Sequence, residues 1–84
     1  MLQRQQYRTF TAALLAAVAG NHTRMQAMHN ATNEPRYTTN KDGARFVTYI
    51  EPKFTLIVRY SPERKTWLNS WTWTSDQDAD QETA

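Results

Sequence analysis

The side chains that could do chemistry in this sequence are two histidines, His22 and His29, and a series of arginine, lysine and tyrosine residues in its second half. The histidines are seven residues apart, which on one helix separates them by about 10 Å along its axis. They are therefore not expected to share a metal ion, and no metal site is predicted in a chain with no cysteine and only Glu34 as a nearby acid. A general-base role for either histidine stays open as an alternative, without further support in the sequence.

The signatures of common enzyme classes are missing from the sequence. It contains no Gly-x-Ser-x-Gly elbow, His-Glu-x-x-His helix, phosphate-binding Gly-Lys-Ser/Thr loop or paired-carboxylate cluster. No catalytic residue and no cofactor is therefore predicted, and a binding role is favoured over an enzymatic one. The chain of 84 residues has room for one small core. Its lack of cysteine suits a reducing cytoplasm, which is the predicted location.

Three stretches carry the residue types typical of β-strands. Residues 44–50 and 54–60 are rich in β-branched and aromatic side chains, and residues 66–74 alternate aromatic with hydroxyl side chains near their end. Residues 51–53, which include a proline, are predicted as the first loop, and residues 62–65 as the second. A short edge strand over residues 37–39 would make the antiparallel sheet four-stranded.

Residue parity predicts which side chains share a face of this sheet. If residues 51–53 form the loop, Phe46 lies opposite Val58 and Ile50 lies opposite Phe54, and one apolar face results. The second loop adds three large cross-strand pairs to the same face, namely Tyr60 with Trp67, Leu56 with Trp71 and Phe54 with Trp73. This face is predicted to be the core.

The same parity places Arg45 directly opposite Arg59 on the other face, beside Tyr49. Two opposed like charges destabilise a β-ladder unless an acid or an anion lies between them, so this pair predicts a binding surface. The alternative is that the arginines extend into water or pair with Glu51, Glu63 or the acidic end of the chain, at little energetic gain. The predicted binding residues are Arg45, Tyr49, Lys53, Arg59, Arg64 and Lys65.

Residues 2–19 are predicted to form one long helix, because Tyr7, Phe10 and Leu14 recur at helical spacing and alanines fill most of the remaining positions. A short second helix is predicted over residues 24–30. The expected fold class is therefore α+β. A long N-terminal helix, alone or with the short second one, would pack on a three- to four-stranded antiparallel sheet.

The N-terminal segment also has features of a secretory signal, with Arg4 and Arg8 before a short apolar run that ends in Ala-Val-Ala. Matches to the glycosylation pattern at Asn21 and Asn30 fit this alternative. Retention of the segment is favoured, because its loss would remove the only long helix able to cover three tryptophans. The apolar run is too short to span a bilayer, and no membrane association is predicted.

Charge is divided unevenly along the chain. Residues 1–35 carry three arginines and one acid, residues 36–74 carry seven cationic and three acidic side chains, and the last ten residues carry four acids and no cation. Residues 75–84 lack any large apolar side chain and are predicted to be a disordered acidic tail that follows a single domain over residues 1–74. Such a tail could fold back onto the basic body and compete with anionic ligands.

Over residues 1–74, a leading helix followed by an antiparallel meander with arginine and tyrosine on its strands resembles the RelE/ParE-type toxins. That resemblance implies a metal-independent ribonuclease whose phosphate-holding and charge-stabilising residues would be Arg45, Tyr49, Arg59 and His29. The short, cysteine-free chain without enzyme motifs is also similar to small phage-encoded inhibitors, including anti-CRISPR proteins. This second resemblance implies a protein that acts by occupying a surface.

The sequence-based hypothesis is a small non-enzymatic binding or inhibitor protein, encoded by a phage or mobile element. It would dock on a protein or nucleoprotein complex through the basic, aromatic sheet face. One alternative is the RelE/ParE-like ribonuclease or an RNA-binding module, in which the basic residues would neutralise phosphates and the tyrosines would stack on bases. A further alternative is a homodimer formed through the free apolar surface.

Overall fold

A four-stranded antiparallel sheet with helices packed against it forms the protein; the computed structural model describes residues 6–83, with side chains as far as Glu82. The strands are hydrogen-bonded in the order in which they follow one another along the chain. The predicted α+β class with a four-stranded sheet is thus confirmed. The elements are α1 (Phe10–Val18), α2 (His22–His29), β1 (Arg36–Thr39), β2 (Arg45–Ile50), β3 (Phe54–Ser61), β4 (Thr66–Trp73) and α3 (Asp76–Thr83). No helix in this part of the chain has the length and apolar character needed to cross a membrane.

The prediction of one long N-terminal helix over residues 2–19 is wrong. Helix α1 begins at Phe10 and has nine residues. The side chain of Thr9 caps it by accepting a hydrogen bond from the Ala12 amide at 3.0 Å. A residue in this capping position has an extended backbone, so the helix does not continue towards the N-terminus. The part of the prediction that concerns residues 1–5 lies outside the described residues.

Tyr7 is extended and pairs with β4, where the sequence predicted a helical residue. Its amide donates to the carbonyl of Trp67 at 2.9 Å, and its carbonyl accepts from the amide of Trp67 at 2.7 Å. This isolated bridge adds one extended residue to the outer edge of β4. The aromatic side chain at position 7 therefore reaches the core from the sheet edge and not from a helix.

The short second helix is present as α2, which begins two residues earlier than expected. Asn21 caps it, because its side-chain carbonyl accepts a hydrogen bond from the Arg24 amide at 3.0 Å. Gly20, just before the cap, has a φ of 71°. Glycine adopts this left-handed conformation without a steric penalty, so the chain can change direction between α1 and α2.

The predicted pairing of β3 with β4 is confirmed. The three large cross-strand pairs are Tyr60 with Trp67, Leu56 with Trp71 and Phe54 with Trp73. Phe54 also stacks on Trp71, with ring centroids 4.2 Å apart. Aromatic pairs in such offset or edge contacts contribute about 0.5–1.5 kcal/mol beyond the area that they bury.

The turn between β2 and β3 has two residues, whereas the sequence analysis predicts three. The Glu51 amide donates a hydrogen bond to the Phe54 carbonyl at 2.9 Å, which leaves only Pro52 and Lys53 in the turn. Glu51 is fixed at the end of the ladder because its carboxylate accepts hydrogen bonds from the two amides of residues 32–33, at 3.1 and 2.9 Å. This long-range contact matches a two-residue turn, in which Glu51 belongs to the ladder and not to the loop.

The two-residue turn shifts the pairing of β2 with β3 by one residue, so every β2 side chain lies on the face opposite to the predicted one. Arg45 pairs with Tyr60, and Phe46 pairs with Arg59. The predicted opposition of Arg45 and Arg59 is therefore wrong, and the two arginines lie on opposite faces. Val47, which is 6% exposed, takes the core position predicted for Phe46.

The core lies between α1 and the sheet face that carries Phe54, Leu56 and Val58. Ala13 is fully buried there, and its carbonyl accepts a hydrogen bond from the Asn69 side chain at 2.8 Å, which ties α1 to β4. We call this side of the sheet the helix face. The other side, the open face, is formed by Arg36, Thr38, Phe46, Thr48, Ile50, Thr55, Ile57, Arg59, Ser61, Thr66, Leu68, Ser70 and Thr72.

The segment over residues 75–84, expected to be disordered, contains helix α3 in the structure. The Ser75 hydroxyl accepts a hydrogen bond from the Asp78 amide at 3.2 Å, which caps the first turn. Two acids in that turn, Asp76 and Asp78, interact favourably with the positive end of the helix. Helix α3 packs beside α2 and β4.

Candidate binding surface

Arg59 lies on the open face with an apolar side chain on each neighbouring strand. Its cross-strand partners are Phe46 on β2 and Leu68 on β4. Ile57, two residues earlier on β3, shares the face and is 36% exposed. These four side chains line a shallow depression of about 220 Å³. Arg59 and Ile57 are exposed, Phe46 is half-buried and Leu68 is buried. The open face thus combines an exposed guanidinium with partly exposed apolar side chains.

The rest of the open face is built mostly from small hydroxyl side chains, with Ile50 as a further exposed apolar residue. Its charged strand residues are Arg36 and Arg59, and none of its strand residues, all of which the structure describes, is acidic. Helices α1 and α3 contact Trp67 and Trp73, which belong to the helix face. The open face consequently has no covering helix in the described part of the chain.

Arg45 and Tyr49 lie on the helix face, beyond the strands on which α1 packs. Arg45 borders a hollow of about 270 Å³ whose walls include Phe10 and Trp67. Burial, together with the neighbouring Tyr37, raises the pKa of Tyr49 above its ordinary value of 10.0. Its hydroxyl is therefore less suited to proton transfer near neutral pH than an ordinary tyrosine.

The turn after β3 contains Arg64 and Lys65, at the end of the sheet to which Arg45 and Arg59 also belong. We call this region the basic end; its cations are Arg8, Lys41, Arg45, Arg59, Arg64 and Lys65, and its acids are Asp42 and Glu63. Lys53 lies in the turn at the opposite end. Four of the six predicted binding residues therefore share one end, although they project from two faces and a turn, whereas Tyr49 and Lys53 lie apart from them.

A polar cluster at the opposite end was missed by the sequence analysis. Glu82 of α3 accepts hydrogen bonds from the side-chain amide of Asn21 at 2.7 Å and from the indole N–H of Trp73, and forms an ion pair with the guanidinium of Arg24. Arg24 also lies over the Trp71 ring, 5.2 Å from its centroid. The acidic composition of the tail was the one available signal, but its partner lies on α2 and not on the predicted basic sheet face.

A cleft of about 460 Å³ lies beside this cluster, between α2, the β2–β3 turn and α3. His22 and Lys53 contribute to its polar rim, and Phe54 and Trp73 to its apolar part. In residues 6–83, no three histidine, aspartate or glutamate side chains gather closely enough to hold a metal ion.

The residues implied by the RelE/ParE resemblance are not brought together. Arg59 projects from the open face, whereas Arg45 and Tyr49 project from the helix face. His29 is exposed at the end of α2. A single phosphate cannot contact all of these side chains at once.

Neither the family models, nor the curated proteins, nor the solved structures contain a match to this chain.

Proposed function

We propose that this protein is a small non-enzymatic binding protein of the inhibitor type, and that it docks on a partner protein through the open face. The observation that carries the proposal is the placement of Arg59 between Phe46 and Leu68 on a sheet face that has no acidic strand residue. Interface centres are enriched in arginine and aromatic side chains and depleted of other charged residues. Arginine beside apolar neighbours is also a frequent energetic centre of such interfaces.

The partner surface should be apolar and carry a carboxylate. Arg59 presents a planar group that binds carboxylates through two parallel hydrogen bonds, and Arg36 adds a second positive charge to the same face. The many threonine and serine side chains project only a short distance, so a second surface can approach the sheet closely. An acidic group on the partner would meet no acidic strand residue on this face.

The docking surface must extend beyond the strands. Four strands about 4.8 Å apart and roughly 20 Å long cover only about 400 Å², whereas a standard interface buries about 800 Å² on each partner. The adjacent turn with Arg64 and Lys65 would supply part of the difference. This extension gives those two predicted binding residues a role at the rim of the interface.

The proposal includes the source, the location and the target of the protein. We propose an inhibitor that is encoded by a phage or mobile element and that acts in the cytoplasm on a protein or nucleoprotein complex. A small domain that needs no catalytic turnover fits this role. What supports it is the absence of enzyme motifs from the sequence together with one exposed mixed apolar and cationic face. The ribonuclease alternative lacks comparable support, because Arg45, Tyr49 and Arg59 are divided between two faces.

The test is affinity capture from a bacterial lysate in the presence of nuclease, with wild type, Arg59→Glu and Arg45→Glu as matched baits. Both arginines are exposed and lie in the same region of the sheet, and both substitutions change the charge equally, but they act on opposite faces. The captured protein is then purified and its dissociation constant is measured with each variant. We expect Arg59→Glu to weaken binding about thirtyfold or more, as for a central interface residue, and Arg45→Glu to change it only severalfold.

Three outcomes would contradict the proposal. Equal binding by both variants would remove the open face from the interface. Capture that disappears with nuclease treatment would indicate an RNA-binding protein. A homodimer that sizing detects at two protein concentrations, and that Arg59→Glu dissociates, would show that a second copy of this chain covers the open face.

A further inference from the structure

The sequence of α3 does not favour an independent helix. Asp76 and Asp80 are four residues apart, as are Asp78 and Glu82, and like charges at this spacing destabilise a helix. Its eight residues are also fewer than an isolated helix needs in water. Contacts with the rest of the molecule must therefore stabilise α3, and Glu82 makes such contacts.

Arg24 and Asn21, which contact Glu82, are also held in place by interactions that do not involve α3. Arg24 donates from its guanidinium to the Ala17 carbonyl at 2.9 Å and lies over the Trp71 ring. The Asn21 side-chain carbonyl is occupied by the amide of residue 24, which aims the NH₂ group of Asn21 towards Glu82. These contacts would keep the donors in place after α3 has moved away.

The two hydrogen-bond donors and the one cation around Glu82 suit a carboxylate. Asn21 and Arg24 contact one oxygen of Glu82, and the Trp73 indole N–H donates to the other. The Glu82 side chain is 14% exposed and that of Arg24 is 26% exposed, so the ion pair is largely shielded from water. In such a place water screens the attraction between the two charges less than on an open surface, and the two neutral donors offset part of the lost hydration of the carboxylate.

We propose that Asn21, Arg24 and Trp73 form a carboxylate-binding site, that α3 occupies it as a displaceable internal ligand, and that an acidic peptide segment of a partner binds there when α3 is released. Asp78 and Gln81 of α3 form one wall of the adjoining cleft, so release of α3 opens it. His22 on α2 and Lys53 in the β2–β3 turn would then lie beside the flanking residues of such a segment. This site is separate from the open face and does not depend on the function proposed for that face.

The first experiment tests whether Glu82 holds α3 in place. Glu82→Gln removes the charge in the full-length chain, and Asp76→Asn removes a charge from the exposed start of the same helix as the control. We expect amide hydrogen exchange in residues 79–82 to accelerate about tenfold or more in Glu82→Gln and much less in Asp76→Asn. The Trp73 indole N–H resonance should also move in Glu82→Gln. Unchanged exchange in α3 of Glu82→Gln would overturn the proposal.

The second experiment tests the site with an external ligand. A synthetic peptide of residues 75–84 is added to the Glu82→Gln protein, and the Trp73 indole resonance is followed by NMR. We expect the Trp73 resonance to return towards its wild-type position at roughly millimolar peptide. A peptide that carries glutamine in place of Glu82 should not have this effect, and the original peptide should not have it on the Arg24→Gln/Glu82→Gln protein. No response up to about 10 mM peptide, or an equal response in the Arg24→Gln/Glu82→Gln protein, would overturn the proposal.

Discussion

Tyr49 couples the stability of the fold to alkaline pH. Its pKa is raised in the folded protein by burial and by Tyr37, so the folded state holds the phenolic proton more tightly than the unfolded state. The contribution to stability is fully present below the ordinary pKa of 10.0 and is lost as the pH rises through the raised value. We expect the free energy of unfolding of wild type to fall relative to that of Tyr49→Phe above about pH 10. Urea unfolding of both proteins between about pH 8 and 11 measures this, and parallel curves would contradict the assignment.

Glu51 makes a structural contribution that its charge alone does not suggest. It is 8% exposed, and its carboxylate accepts hydrogen bonds from two amides of the loop before β1. Glu51→Ala would leave those amides without their acceptor, and we expect a loss of about 2 kcal/mol in the free energy of unfolding. Glu63→Ala, in an exposed turn, should change it by less than about 0.5 kcal/mol. Similar losses in the two variants by urea unfolding would be inconsistent with this role.

At the residue scale, the sequence predicted core positions better than polar contacts. Phe54, Leu56 and Val58 were recognised by their alternation on a strand, and all three are fully buried. Glu51 was expected either to remain in a loop or to pair with an arginine, whereas it binds backbone amides 18 and 19 residues away. A contact of that sequence separation leaves no periodic pattern, so local reasoning could not find it.

The pairing of β2 with β3 decides which surface is available for binding, and it can be tested by substitution. In the observed register Val47 faces the core and Thr48 faces outwards. We expect Val47→Thr to cost about 1–2 kcal/mol, because it buries a hydroxyl without an assigned partner, and Thr48→Val to change stability by less than about 0.5 kcal/mol. Chemical denaturation gives both values. A neutral Val47→Thr together with a clearly stabilising Thr48→Val would indicate the other register.

At the element scale, the errors in prediction arose where a distant contact overrides a local pattern. Helical spacing continued through Tyr7, but two backbone hydrogen bonds to Trp67 hold that residue beside β4. The acidic composition of residues 75–84 indicated disorder, but Glu82 binds Arg24 on α2. The β3–β4 pairing was predicted correctly because the aromatic positions of both strands were evident from the sequence and the turn length was assigned correctly.

Positive and negative charges are concentrated at opposite ends of the molecule. The basic end contains six cations and two acids, whereas the opposite end contains the four acids of residues 75–84 and Glu51 beside Arg24 and Lys53. Such a distribution orients the molecule in the field of a charged partner and accelerates association more than it strengthens the final complex. The candidate site could be predicted only in part. The basic residues were visible in the sequence, but the face from which each one projects depends on the strand register.

The steering effect leads to a kinetic prediction. In Arg64→Gln/Lys65→Asn, asparagine can adopt the positive φ of 57° at position 65. We expect association with the captured partner to slow severalfold at low salt while dissociation changes little, and the difference to shrink at about 0.5 M salt. Lys53→Gln, at the opposite end, is the control and should leave the rate unchanged. Stopped-flow or surface-based kinetics measures these rates, and equal slowing by Lys53→Gln would contradict steering by the basic end.

The measurement that most directly tests docking through the open face is site-specific photocrosslinking. A photoreactive phenylalanine analogue replaces Ile57 on the open face in one protein and Tyr37 on the helix face in another; both side chains are exposed, at 36% and 74%. Docking through the open face predicts a covalent adduct with the captured partner from position 57 and none from position 37. An adduct from position 37 alone would show that the partner binds the helix face, and would contradict the central claim.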